Sequence, residues 1–300
     1  MGQDQFEKMS AQMGEGKGFI AALDQSGGST PKALRLYGVS EDEYEGEEAM
    51  FAEIHAMRAR IITAPDFTSE KVIGAILFER TMRGEVEGTP VAKLLWESRG
   101  IVPFLKIDKG LEEKENGVQL MKPIPGLPEL LQEAKGMGIF GTKERSVVHE
   151  ANAEGIAAIV KQQFEVGKVV TDAGLVPILE PEVDINAPDK PEAEAMLKAE
   201  IAKYLDQLPE DETVMLKLTI PTEAGLYDEL ADHPRVLRVV ALSGGYSTDE
   251  ACERLAKQGK MIASFSRALT EGLSKQQSDA EFNAALGQNI DKIYTASVAG

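Results

Sequence analysis

Cysteine occurs once in this chain, at Cys252, which excludes an intrachain disulfide and a thiolate metal cluster. Histidine is almost as scarce. His55, His149 and His233 lie far apart with no metal-ligand spacing among them, so they read as structural or solvent-facing residues. Nothing matches the carboxylate pattern of a calcium loop, and no metal site is expected. No apolar run approaches the ~20 residues needed to cross a bilayer. Met1–Phe6 has neither the basic nor the apolar region of a signal peptide, which suggests a cytoplasmic setting. Cations are also outnumbered: 32 Lys and Arg against 50 Asp and Glu leave a formal charge of −18. That balance disfavours nucleic acid and anionic membranes as partners, and any phosphate site must be a local cationic pocket.

What the chain does have is an ordinary apolar content of 43% and a regular alternation of short apolar runs with longer helical patterns. The expected strands are 18–23, 72–78, 102–107, 138–142, 175–179, 213–218, 236–242 and 260–265. Residues 60–64 also look extended, but 72–78 keeps the better spacing. Ile156, Ile159, Val160, Phe164 and Val170 share one helical face, and Gly174 follows as a stop. Leu197, Ile201, Tyr204, Leu205 and Leu208 share another. Ser247–Glu250 and Ser278–Glu281 read as capping boxes, and 109–117 and 186–192 as solvated loops. The first strand ends in Asp24-Gln25-Ser26-Gly27-Gly28-Ser29, without the G-x-G-x-x-G of a dinucleotide site. The expectation is an α/β fold: a single (β/α)8 TIM barrel over residues 1–300, with short N-terminal and C-terminal helical extensions.

The polar residues gather at the carboxyl ends of these strands, where barrel active sites are built. Asp24 closes the first, Lys106 with Asp108 the third, Lys143 and Arg145 the fourth, Glu180 and Glu182 the fifth. Lys217 lies in the sixth, Ser243-Gly244-Gly245 follows the seventh, and Ser266-Arg267 the eighth. Any one of these alone is an ordinary solvated strand end, but independent surface charges would scatter over both rims. Lys217 is the sharpest signal, because an amine inside the apolar run Val214–Ile220 is costly to bury. Buried amines beside acids suggest Schiff-base chemistry, since desolvation and neighbouring cations favour the nucleophilic neutral amine. Gly244, Gly245 and Arg267 offer one phosphate pocket, and Ser26, Gly28, Ser29 and Lys32 a second. Lys106 and Arg145 would serve the far end of a long substrate. Two such patches flanking an amine suggest a bisphosphorylated keto compound.

The segments Leu105–Gly110, Pro177–Glu182, Val214–Lys217 and Leu242–Gly245 resemble class I fructose-bisphosphate aldolase, the metal-independent Schiff-base type, in its shorter bacterial branch. The resemblance runs nearly end to end, from Ala21 to Leu269. It implies that Lys217 forms the Schiff base, Glu180 acts as general acid and base, and Asp24 takes the C4 hydroxyl proton. It further implies that Lys143 is the second amine, Glu182 orients the amines, and Lys106 and Arg145 face the C6 phosphate. Ser243, Gly244 and Arg267 would hold the C1 phosphate. No metal or organic cofactor is implied.

Three departures accompany the resemblance. Gln25 replaces a glutamate and Ser266 a glycine of the animal pattern, and Tyr294 is a displaced candidate for that pattern's C-terminal tyrosine, its role left open. Sedoheptulose 1,7-bisphosphate cleavage, a transaldolase-type reaction and a catalytically silent sugar-phosphate-binding barrel are the rival readings. A homo-oligomer is left open.

Overall fold

A computed structural model describes residues 2–26 and 28–299. Eight parallel strands follow one another in chain order: β1 (Phe19–Leu23), β2 (Val72–Leu77), β3 (Val102–Lys106), β4 (Gly141–Val148), β5 (Val176–Val183), β6 (Val214–Thr219), β7 (Val236–Leu242) and β8 (Met261–Ala263). Each pairs with the next in parallel register. Between β8 and β1 the cylinder closes through the Ala22 N–H, which donates to the Phe265 carbonyl at 3.3 Å. The helices used below are α1 (Gln3–Glu15), α2 (Gly46–Thr63), α3 (Leu127–Gly136), α4 (Ala153–Asp172), α5 (Lys190–Leu205), α6 (Thr248–Leu255) and α7 (Asp279–Ser297). This is the expected TIM barrel.

Strand alternation organises the interior. Side chains two apart share a face, so Ile20, Phe104, Ile178, Met215, Val240 and Ile262 point inward and fill the lower barrel. α1 lies across that end and adds the fully buried Met9 and Met13. Phe104 meets the Phe140 ring edge-on, with centroids 5.5 Å apart, and Phe6 packs on Phe140 at 5.1 Å. Gly141 has to be glycine, because a Cβ there would sit 2.1 Å from the Val176 carbonyl oxygen. Neighbouring residues such as Leu105, Leu179, Leu216 and Ala241 point outward into a second apolar layer beneath the helices.

Several boundaries differ from expectation. Residues 60–64 belong mostly to α2, whose Ile61 and Ile62 are buried against the barrel. β4 and β5 run on to Val148 and Val183, because their registered ladder continues well past the point where charged residues begin. Lys143, Arg145, Glu180 and Glu182 are therefore strand residues and not terminal ones. The 109–117 loop is tied by bridges from Leu111 to Met121 and from Glu115 to Val118, and α5 starts within the expected 186–192 loop. Ser278 and Glu281 form a complete capping box. At α6 only the Ser247 half is made, since the Glu250 carboxylate accepts from Arg254 Nε at 3.0 Å instead.

Candidate active site

Two residues beyond most inward positions the same alternation delivers a polar side chain; after Ile20 and Val240 it delivers Ala22 and Leu242. Phe104 leads to Lys106, Gly141 to Lys143 and then Arg145, Ile178 to Glu180 and then Glu182, Met215 to Lys217, and Ile262 to Ser264. These line a cavity of about 710 Å³ at the carboxyl end of the barrel. Asp24, Ser26, Ser29 and Lys32 line it on the β1 side, and Ser243, Gly244 and Arg267 on the β7 and β8 side. Gly245 is not part of the wall, but a Cβ on it would lie 3.6 Å from Arg267 Nη2, so the guanidinium sits over that turn. Gly244 has φ +61, and a Cβ there would press on Ile185 at 2.7 Å; the turn requires glycine.

At the centre of this cavity the amines and carboxylates are matched, while Lys32, Arg145 and Arg267 leave its wall cationic. Lys143 Nζ lies 2.7 Å from Asp24 Oδ2, 3.1 Å from Glu180 Oε2 and 3.9 Å from Asp108 Oδ2. Lys217 Nζ lies 3.2 Å from Glu180 Oε1. Lys106 Nζ lies 3.5 Å from Asp108 Oδ1 and donates to Ser26 Oγ at 2.8 Å. Three amines and three carboxylates thus neutralise one another, which burial demands: Lys143, Lys217 and Glu180 are each at most 4% exposed. Glu180 bridges the two amines with one oxygen each. The Lys143 contact is too poorly angled for a hydrogen bond, so buried Glu180 Oε2 accepts none among the described residues.

The electrostatic consequences follow. Burial alone would raise the Asp24 carboxyl, but Lys143, Lys217 and Lys106 outweigh it and hold that carboxyl well below the usual range. Burial likewise opposes the charge on Lys143, yet Asp24, Glu180 and Asp108 win and hold it firmly protonated. Glu180 is also lowered, its desolvation overcome by Lys143 and Lys217. The resting site contains an ammonium at Lys143 and carboxylates at Asp24 and Glu180.

One expected contact is absent. Glu182, anticipated beside the amines, pairs with Arg145 Nε at 2.5 Å. One step further up β5 than Glu180, it reaches the rim and not the amines. Asp108 takes its place, touching Lys106 and Lys143 and accepting the Arg145 N–H at 3.2 Å. Asp108 had no assigned role in the sequence, though its position two residues past Lys106 was a usable signal. Ser264, buried with its hydroxyl unpaired, was also missed. Tyr294 lies on α7, packed against the outer core and away from the cavity wall. The histidines are held elsewhere: His55 at the Glu85 carbonyl, His149 between Asp184 and Gln119, His233 at Asp206.

A family model described as fructose-bisphosphate aldolase class-I matches residues 6–220. The chain belongs to the class I fructose-bisphosphate aldolase family. The aldolase of Porphyromonas gingivalis, named fructose-bisphosphate aldolase class 1, is 59% identical over 96% of this chain and 97% of its own. The like-named Synechocystis aldolase is 56% identical over 99% and 97%. At the level of fold, the chain superposes on the solved fructose-bisphosphate aldolase of Plasmodium falciparum with a TM-score of 0.76, at 21% identity, over 100% of this chain and 96% of that one. As in other lyases of the class, the chemistry is carried by an amine, and the described residues place two buried ones side by side. No helix among them is long and apolar enough to cross a membrane.

Proposed function

We propose that this chain cleaves fructose 1,6-bisphosphate reversibly to dihydroxyacetone phosphate and glyceraldehyde 3-phosphate, through a Schiff base on Lys217. The observation that carries this reading is Glu180, one oxygen 3.2 Å from Lys217 Nζ and the other 3.1 Å from Lys143 Nζ. An ammonium at Lys217 must lose a proton before it can attack, and Glu180 Oε1 is the acceptor within reach. The free amine adds to the C2 carbonyl. Glu180 returns the proton to the departing hydroxyl, water leaves, and an iminium remains. Lys143, held as a cation, polarises the developing alkoxide without competing as a nucleophile.

The iminium is an electron sink. Ionised Asp24 takes the C4 hydroxyl proton, the C3–C4 bond breaks, and its electron pair enters the iminium to give an enamine. Glyceraldehyde 3-phosphate departs. Reprotonation at C3 and hydrolysis then release dihydroxyacetone phosphate and the amine. Arg267 over the Gly244-Gly245 turn suits the C1 phosphate, with Ser243 beside it. Lys106 and Arg145 suit the C6 phosphate, Lys106 being held by Ser26 and Arg145 by Glu182. Ser29 shapes the first loop, its hydroxyl accepting the Ser26 N–H at 3.1 Å.

Borohydride trapping with dihydroxyacetone phosphate, followed by peptide mapping, tests the assignment. The expected adduct is on Lys217, and Lys217→Ala should fold, yet trap nothing and cleave nothing. An adduct on Lys143 or Lys106 would reverse the roles of the amines. Binding without any adduct would leave a silent sugar-phosphate barrel.

A further inference from the structure

The seam between β1 and β8 is the barrel's sparsest. β8 is only three residues long, and the Ala22-to-Phe265 hydrogen bond is where the first and last strands meet. Yet the two chain segments that leave this seam carry Asp24 on one side and Arg267 on the other, each in the cavity wall. Just beyond the last ladder bond the segments meet again through side chains. Gln25 Nε2 donates to Ser266 Oγ at 2.6 Å, across 241 positions of sequence.

Gln25 is itself fixed from behind. Arg58 of α2 is 1% exposed and lies in no salt bridge among the described residues. Its Nη2 donates to the Gln25 main-chain carbonyl and, at 3.3 Å, to Gln25 Oε1, while Nη1 donates to Thr81 Oγ1 at 2.7 Å. A guanidinium only donates, so the carbonyl end of the Gln25 amide must face it, and the NH₂ end is turned to Ser266. A buried arginine with no carboxylate in contact is costly; Asp24 supports its charge from a distance, and these acceptors are the hydrogen bonds it makes. A glutamate at 25 would lack the NH₂ donor, and a glycine at 266 the hydroxyl acceptor. The two departures noted in the sequence are one contact.

We propose that Gln25 and Ser266, anchored by Arg58, form a clasp that closes the seam at the catalytic rim and positions Arg267 and Asp24 relative to each other. They are positioning residues: the clasp sets how far the phosphate-binding guanidinium stands from the base that serves the other half of the same substrate. The inference rests on the proposed roles of Asp24 and Arg267 in cleavage.

A double-mutant cycle tests it, with Gln25→Leu, Ser266→Ala and the pair together, measured for KM and kcat on fructose 1,6-bisphosphate. Each single change should raise KM roughly tenfold, the scale of one buried hydrogen bond, with kcat changed far less. The double variant should be no worse than the poorer single one, because both remove the same contact. Gln25→Leu also strips the Oε1 acceptor from Arg58 and can unfold; Ser266→Ala does not, and its KM then decides alone. Singles with wild-type KM, or effects that multiply in the double variant, would overturn the clasp. Borohydride trapping of the unmodified enzyme separates the failures: no Lys217 adduct there defeats the Schiff-base reading, while a normal adduct with unaltered variant KM defeats only the clasp.

Discussion

The two ends of this barrel are built on one strand pattern and opposite chemistry. At the lower end the inward positions are Ile20, Phe104, Ile178, Met215, Val240 and Ile262, sealed by Met9 and Met13. One alternation higher, four of these six strands present Lys106, Glu180, Lys217 and Ser264 to an open cavity. The lower end needs only shape and apolar area, and its residues can be exchanged for others of similar volume. The upper end needs each partner in place, because an amine or carboxylate there has little water to fall back on. Stability and reactivity therefore share the same strands but are separated along them by a single pleat. β6 shows this most compactly, with Met215 in the apolar core and Lys217 beside Glu180.

The largest effect is expected at the upper end. Glu180→Gln removes the proton acceptor of Lys217 and should lower kcat by about 10²–10⁴-fold, read by steady-state cleavage. A loss under tenfold would show that another group moves the proton. At the lower end, Met13→Ala leaves a cavity in a fully buried position. It should cost about 2–5 kcal/mol in denaturant unfolding, with kcat unchanged at temperatures where the protein is folded. A catalytic defect without destabilisation would mean that the two ends are coupled.

The smallest effect falls on the outward face of β4, which belongs to neither end. Glu144 is fully buried there, accepting from Thr142 Oγ1 at 3.1 Å, with its other oxygen unpaired. Burial first, then Asp108 and Glu180, push its carboxyl well above the ordinary range, against the Thr142 hydroxyl and Lys143. The folded protein therefore keeps this acid neutral where the unfolded chain ionises it. Its contribution to stability is complete below the ordinary carboxylate range and is lost as pH rises above it. Glu144→Gln should raise Tm at pH 8 and change it little at pH 4. Asp24 and Glu180 have the opposite sign, stabilising above their ordinary range and losing that effect on acidification. An equal shift at both pH values would show that Glu144 acts through packing.

Most of the fold was legible because each strand is a short apolar run and each helix a periodic one. The lysine–carboxylate centre was legible for the same reason, a charge inside such a run being conspicuous. β4 and β5 were read short because their upper halves alternate Lys143, Arg145, Glu180 and Glu182 into a polar mouth, a pattern that resembles a strand's end. Glu182 was misplaced by one pleat, and Asp108 was noted at its strand end but given no role, since neither distance along a strand nor reach across it can be counted in sequence alone. The Gln25–Ser266 contact left no local trace at all. It exists only once the cylinder has closed.

The helix that seals the lower end also constrains how the protein is made. α1 leaves the ribosome ahead of every strand, but Met9 and Met13 share their cluster with Val240 of β7 and Ile262 of β8. Its apolar face therefore has no complete seat until β7 and β8 have been synthesised. A piece translated before any strand is among the last to be placed, and during that interval it is a segment that a chaperone would find exposed.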